Sequence, residues 1–168
     1  LDEKAKQYIH YAADGAKRMR KTIFDLLEYS RVGKKNVVYE MIDCNDLVEE
    51  SMYLNKSEVE DAKGIIRLNN LPTIKGNRSS LQQVFQNLIA NAIKYRKPDV
   101  QLIIEISAKE NETSWQFAIA DNGIGIDAQY FEKIFVVFQR LHHSNAYSGT
   151  GIGLSICKKV IENHNGKI

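Results

Sequence analysis

Cysteine and proline are scarce, two of each in 168 residues. Cys44 and Cys157 stand far apart, with no C-x-x-C and no second pair. That excludes a disulfide framework and a cysteine-based zinc cluster, and leaves buried, reduced thiols as the expectation. Long apolar runs are missing as well: none approaches the ~20 residues that a membrane-crossing helix needs. The opening residues, LDEKAKQY, lack the basic-then-apolar layout of a signal peptide. These features predict a soluble, cytoplasmic piece that makes no membrane contact of its own. Nor is there a surplus of one charge: 23 Lys and Arg against 21 Asp and Glu give +2, too near balance for a nucleic-acid surface. With 43% hydrophobic and 26% charged residues the chain is built to fold. Its length fits one ordinary domain, or one compact domain with a single long element attached.

The balance of charge is uneven along the chain. Residues 1–35 hold nine basic and five acidic side chains, a net +4, whereas the remainder holds fourteen and sixteen, a net −2. In the basic part Ile9, Ala12, Ala16, Met19, Ile23 and Leu26 recur at spacings of three and four, beside Lys17, Arg18, Arg20 and Lys21. This is the stripe of a helix in a coiled coil or four-helix bundle, with a partner helix elsewhere; a helix lying on the following domain is the alternative. Gly33, with Lys34 and Lys35, reads as its stop.

Strands and helices alternate after that. Strands are expected at 37–42, 65–69, 73–75, 100–110 and 114–121, the last two joined by a short turn at Asn111, Glu112 and Thr113. Helices are expected over about 46–60, capped by Asp43 or Asn45, over 79–95, capped by Ser79 or Ser80, near 129–137, and over 151–164. A polar stretch covers 140–150. Asn165, Gly166, Lys167 and Ile168 read as a turn entering a strand that has been cut off.

Four pieces carry chemistry. On the helix over 79–95, Asn87, Asn91 and Lys94 are spaced by four and three and so share one face. Asparagine forms helices poorly, and two of them a turn apart suit a metal or phosphate ligand, or else a solvated face. Asp121, Asn122, Gly123, Ile124, Gly125, Ile126 and Asp127 follow an apolar strand, where glycines allow close backbone approach and a carboxylate can accept from a base amine; a glycine-rich turn is the plainer reading. Gly149, Thr150, Gly151, Ile152, Gly153 and Leu154 open the last helix, whose free N–H groups suit a phosphate. This is neither G-x-G-x-x-G, since Leu154 replaces the third glycine, nor a P-loop. Phe131, Phe135 and Phe138, with Arg140 beyond them, read by themselves as core packing. At average glycine and aspartate frequencies both glycine motifs coincide in roughly one chain in four hundred.

In order, QVFQNLIANAIKY, DNGIGID, FEKIFVVFQRLH and GTGIGLSICKKVI resemble the N, first glycine, F and second glycine boxes of sensor histidine kinases of two-component systems, over about residues 80–168. DGAKRMRKTIFDLLEYSRVG resembles the second helix of their dimerisation and histidine-phosphotransfer hairpin, particularly in phytochrome-like members. The resemblance implies an α/β sandwich, with helices on one face of a mixed sheet, preceded by one long coiled-coil-type helix. It divides the chain into a truncated hairpin helix at 1–33 and an ATP-binding catalytic domain at 36–168 that lacks its last strand or strands.

It also implies ATP and Mg²⁺ as ligands. Asn91 would ligate the metal, while Asn87 and Lys94 face the phosphates and Tyr95 borders the nucleotide. Asp121 would accept from the adenine amine in a pocket shaped by Gly123, Ile124 and Gly125. Gly149, Thr150, Gly151, Gly153 and Leu154 would form a lid hinge and phosphate-facing helix start, with Arg140 reaching the phosphates. The implied enzyme is a phosphotransferase that passes the γ-phosphoryl to a histidine. Its implied partners are a second copy, through a helical bundle, and a response-regulator receiver domain.

One departure stands out. The family's phosphoacceptor histidine precedes an acidic residue and then a proline, whereas His10 precedes Tyr11, Ala12 and Ala13. The acceptor helix is therefore expected outside this chain, which alone should not label itself. His142 and His143 read as a solvated loop, and His164 as a partner of the last helix's C-terminus. An ATP hydrolase of the same superfamily is the rival, but those enzymes carry a glutamate base at the place of Asn87, and an amide cannot take that proton. A non-catalytic dimeric scaffold is the other.

Overall fold

The computed structural model describes residues 2–33, 38–141 and 149–168. The first element is a long helix, α1 (Glu3–Arg31), whose N-cap Asp2 accepts from the Ala5 N–H at 2.7 Å. It stops where Gly33 turns into the left-handed region at φ 82°, as expected; Lys34 and Lys35 lie outside the described residues. No residue of α1 is buried, and Ile23, the fifth of six in the predicted stripe, is 58% exposed.

The rest runs β1 (Glu40–Asp43), α2 (Cys44–Leu54), α3 (Lys56–Asp61), β2 (Ile65–Leu68), β3 (Thr73–Gly76), α4 (Arg78–Lys94), β4 (Ile103–Glu110), β5 (Trp115–Asp121) and α5 (Gly153–Asn163). β4 is the centre of a mixed three-stranded sheet, parallel to β2 and antiparallel to β5. β1 and β3 form a separate antiparallel pair, so the sheet expected as one comes in two pieces. Along β4 the period of two turns Ile104 and Ile106 inward, fully buried, while Glu105 faces out and pairs with Arg67 on β2 at 2.7 Å. The inward residues meet Leu47 and Val48 of α2, Phe85 and Ile89 of α4, and Ile156 and Val160 of α5 in one core. The result is the two-layer α/β arrangement expected from the sequence, with helices over the sheet.

Several boundaries differ from expectation. β1 begins at Glu40, because the Val38 carbonyl accepts from Asn77 Nδ2 and the Tyr39 hydroxyl donates to the Asn163 carbonyl, both at 3.0 Å. The helix expected to continue to residue 60 breaks at Asn55, whose side-chain amide donates back to the Ser51 carbonyl at 2.8 Å and draws the chain out of register. Asp43 is the α2 cap: the Asn45 backbone N–H first, then the Asn45 side chain, hold its carboxyl below the usual carboxylate range.

α4 is capped by Asn77, not by a serine. The Asn77 side-chain oxygen accepts from the N–H of Ser80 and the hydroxyl of Ser79, both at 3.0 Å. Residues 129–137 form only two short 3₁₀ turns, Ala128–Tyr130 and Lys133–Phe135, and Phe131 and Phe138 are each 55% exposed, so core packing of the phenylalanines does not hold. α5 starts at Gly153, two residues late.

Both thiols are buried and free. Burial pushes Cys44 up to about 11 and Cys157 up to about 12, so both stay protonated near neutral pH. Among the described residues no helix is long and apolar enough to cross a membrane.

Candidate nucleotide site

α4, seventeen residues long, turns six of them inward, Phe85, Ile89, Ala92 and Ile93 among them, so that Asn87, Asn91 and Lys94 look outward together. All three are half-buried, which rules out the fully solvated face. Asn87 Nδ2 donates to the carbonyl of Gly153, the first residue of α5, at 3.3 Å. Lys94 lies with its ammonium 4.4 Å from the centre of the Tyr95 ring and so close to Gly149 that a Cβ there would sit 2.8 Å from Nζ. Both ends of this polar face therefore touch the second glycine motif. Between them, the Asn91 side chain makes no hydrogen bond among the described residues.

The first glycine motif is fastened to the same helix. Tyr95, the C-cap of α4, accepts from the Ile124 N–H at 3.0 Å through its carbonyl. Asp121 closes β5, opposite the fully buried Ile104, and its Oδ1 accepts from the Gly123 N–H at 2.8 Å. Gly123 has no room for a side chain: a Cβ would stand 2.6 Å from both Asp121 Oδ1 and the Tyr95 carbonyl oxygen. Gly125 is the opposite case, with φ 74° and nothing within 4 Å of its missing Cβ, so backbone borders open space there.

Gly149 and Gly151 both have positive φ, 149° and 76°. The carbonyl of Gly151 accepts from the Phe138 N–H at 3.0 Å, which holds Phe138 in the left-handed region at φ 66°. Arg140 is packed on the same glycine, its Cγ 3.1 Å from where a Gly151 Cβ would be. Thr150 and Leu154 are half-buried. His142 and His143 lie outside the described residues.

Two supports have roles that residue spacing does not reveal. Asn122 clamps the end of β5 to the start of β4, accepting from the Ile103 N–H at 2.9 Å and donating to the Gln101 carbonyl at 2.8 Å. That role depends on which strand lies beside it, which the tripeptide Asp-Asn-Gly does not tell. His164 is the C-cap of α5, as expected, with Nδ1 2.7 Å from the Val160 carbonyl; its Nε2 also accepts from the Asn77 N–H at 3.0 Å and so ties α5 to α4.

The arrangement is two glycine loops bound to one helix, with an amide, a second amide and an ammonium on the face between them. Such a site supplies backbone N–H groups, a cation and amide oxygens to a polyphosphate, and a carboxylate acceptor to a base. No cluster of three His, Cys, Asp or Glu that could hold a metal exists among the described residues. A Mg²⁺ ion would fit here in its usual manner, with an amide oxygen, phosphate oxygens and water.

Residues 76–168 match the family model of histidine kinase-, DNA gyrase B- and HSP90-like ATPases. The phytochrome-like protein Cph1 of Synechocystis sp. is 43% identical over all of this chain, which spans 22% of that relative's length. Sensor protein kinase WalK of Staphylococcus aureus is 31% identical over 99% of this chain and 41% of its own. Histidine kinase ThkA, solved in complex with response regulator protein TrrA, superposes with a TM-score of 0.73 at 25% identity, covering 100% of this chain and 48% of that one.

Proposed function

The chain belongs to the family of histidine kinase-, DNA gyrase B- and HSP90-like ATPases, and from that premise we propose that it is the catalytic part of a sensor histidine kinase of a two-component system. In this reading residues 36–168 bind Mg-ATP and residues 1–33 are the second helix of the phosphotransfer hairpin. The γ-phosphoryl goes to a histidine other than this chain's own, for relay to an aspartate of a response-regulator receiver domain. The protein works in the cytoplasm. The observation that carries the reading is that α4 joins both glycine loops, by Tyr95 to the first and by Asn87 and Lys94 to the second.

The roles follow from chemistry. Asp121 accepts from the adenine amine, in a pocket lined by Gly123, Ile124 and Gly125, with Tyr95 at its border. Asn87, Lys94 and Arg140 are the catalytic residues, setting the phosphates, while Gly149, Thr150, Gly151, Gly153 and Leu154 bring the N-terminus of α5 to them. Mg²⁺, when bound, supplies charge neutralisation at the outer phosphates, and Asn91 would hold it. Most of the rate in such a transfer comes from positioning and electrostatics rather than from a protein base, which agrees with an amide at position 87.

His10 is an exposed helix position, 3.2 Å from Asp14. Titration with ATP should give Mg²⁺-dependent binding, and γ-labelled ATP should leave His10 without acid-labile label. Absence of nucleotide binding would refute the reading, and label on His10 would refute the hairpin assignment.

The partner of α1 is a second copy. Met19 and Ile23, with Gly15, Arg18 and Thr22, line an open groove along the helix, and a seam this apolar is poorly tolerated in water. Ile23→Glu should weaken self-association several-fold in light scattering at graded concentrations. A wild-type chain that stays monomeric at high concentration would refute this. The receiver-domain partner is supported by the related kinase solved with its response regulator.

A further inference from the structure

The C-terminal part of α1 leans on the catalytic domain through three acceptors. Asp25 Oδ2 accepts from the Thr150 hydroxyl, Glu28 accepts from the Gln83 side-chain amide, and the Tyr29 carbonyl accepts from Lys159 Nζ at 2.8 Å. Only the last meets a cation. Asp25 and Glu28 are spaced by three, so they share a face of α1, and each carboxylate is bonded to a neutral donor, with no ion pair to either among the described residues.

What they touch is informative. Thr150 lies between Gly149 and Gly151 in the second glycine motif, and Gln83 is one turn before Asn87 on the polar face of α4. Two negative charges with no ion pair among the described residues thus stand against the surface assigned above to the phosphates, whose Gly149 is also reached by Lys94.

We infer that Asp25 and Glu28 make docking of α1 and binding of the nucleotide's phosphates mutually antagonistic: the docked helix selects against the more highly charged nucleotide, and that nucleotide loosens the helix. The inference rests on the phosphate-facing role of residues 149–153 proposed above. Like charges repel across the loop, and a change in affinity at one site must be returned at the other. The hydroxyl and amide donors hold the helix in place, and the two charges make its hold depend on phosphate. Asp25 and Glu28 are positioning residues and touch no reacting atom.

The test is calorimetric titration of the whole 168-residue chain and its D25N/E28Q variant with ATP, ADP and adenosine, each in low and high salt. Both substitutions keep an oxygen acceptor for Thr150 or Gln83 and remove only charge. The variant should bind metal-free ATP roughly three- to tenfold more tightly, ADP less so and adenosine equally, and the gain should shrink in high salt. Hydrogen exchange over residues 22–32 should rise when ATP is added to wild type and rise less in the variant. Equal affinities, or an adenosine gain as large as that for ATP, would overturn the inference while leaving the pocket intact. Failure of wild type to bind any of the three would overturn the pocket reading and the inference with it.

Discussion

Asp121→Ala is expected to weaken ATP at least about tenfold and to bring the affinities for ATP and GTP close together. Adenine offers an amine where guanine offers a carbonyl oxygen, and a carboxylate can bond only to the first. The position is well defined: Asp121 is the last residue of β5, paired across from Ile104, which has no exposed surface. One of its oxygens is committed to the Gly123 N–H at 2.8 Å, which leaves the other as the acceptor. Alanine removes both bonds, so its effect mixes loss of the base contact with relaxation of the turn. Asp121→Asn separates them. Its amide oxygen can still accept from Gly123, while its NH₂ now faces the base as a donor, mismatched to adenine and matched to guanine. The ATP-to-GTP ratio should therefore fall in the alanine variant and fall further in the asparagine variant, measured by competition titration of the two nucleotides. A ratio unchanged in both would remove Asp121 from the base pocket.

Much of this site is legible in one dimension because helical spacing does the placing. Residues 87, 91 and 94 share a face in any α-helix, and the inward Phe85, Ile89 and Ala92 leave that face only one way to point. The two glycine motifs are legible as loops, but their attachment to α4 is not, since it runs through the Tyr95 carbonyl and the Lys94 side chain, groups that any tyrosine and lysine carry. The phenylalanines mislead for a related reason. Phe131, Phe135 and Phe138 have helical spacing, yet Phe138 sits at φ 66° because the Gly151 carbonyl holds its N–H, a contact from thirteen positions later. Asn77 is passed over as the α4 cap because two serines follow it and cap about as well; its bonds to Val38 and His164, distant in sequence, are what place it at the cap. The docking of α1 is legible only as the alternative of a helix lying on the following domain, and the residues that make it are hidden, since Asp25 and Glu28 look like ordinary solvated charges until Thr150 and Gln83 are brought to them.

Asn91→Ala should cost Mg-ATP on the order of ten- to a hundredfold in affinity, the range in which disturbing a metal site's surroundings is felt, and should cost Mg-ADP less. Mg²⁺ keeps most of its water and takes one or two protein oxygens beside those of the phosphates. With no acidic or histidine cluster among the described residues, an amide oxygen is the ligand the site can offer. Asn91 is placed for it, half-buried on α4 between Asn87 and Lys94, which are both engaged with the second glycine motif, while its own amide has no partner among the described residues. ATP should suffer more than ADP because the metal held by Asn91 would supply charge neutralisation at the outer phosphates, where ATP carries the larger charge. Loss of fold does not explain such an effect, since alanine has the higher helix propensity and removes no hydrogen bond, so the melting temperature should hold or rise slightly. Chelation is the internal control. With the metal removed, wild type and variant should bind ATP almost alike, because the amide's contribution runs through the ion. Titrations of ATP and ADP with and without Mg²⁺ measure all four quantities, and an equal loss for both nucleotides, with or without metal, would make Asn91 a structural residue instead.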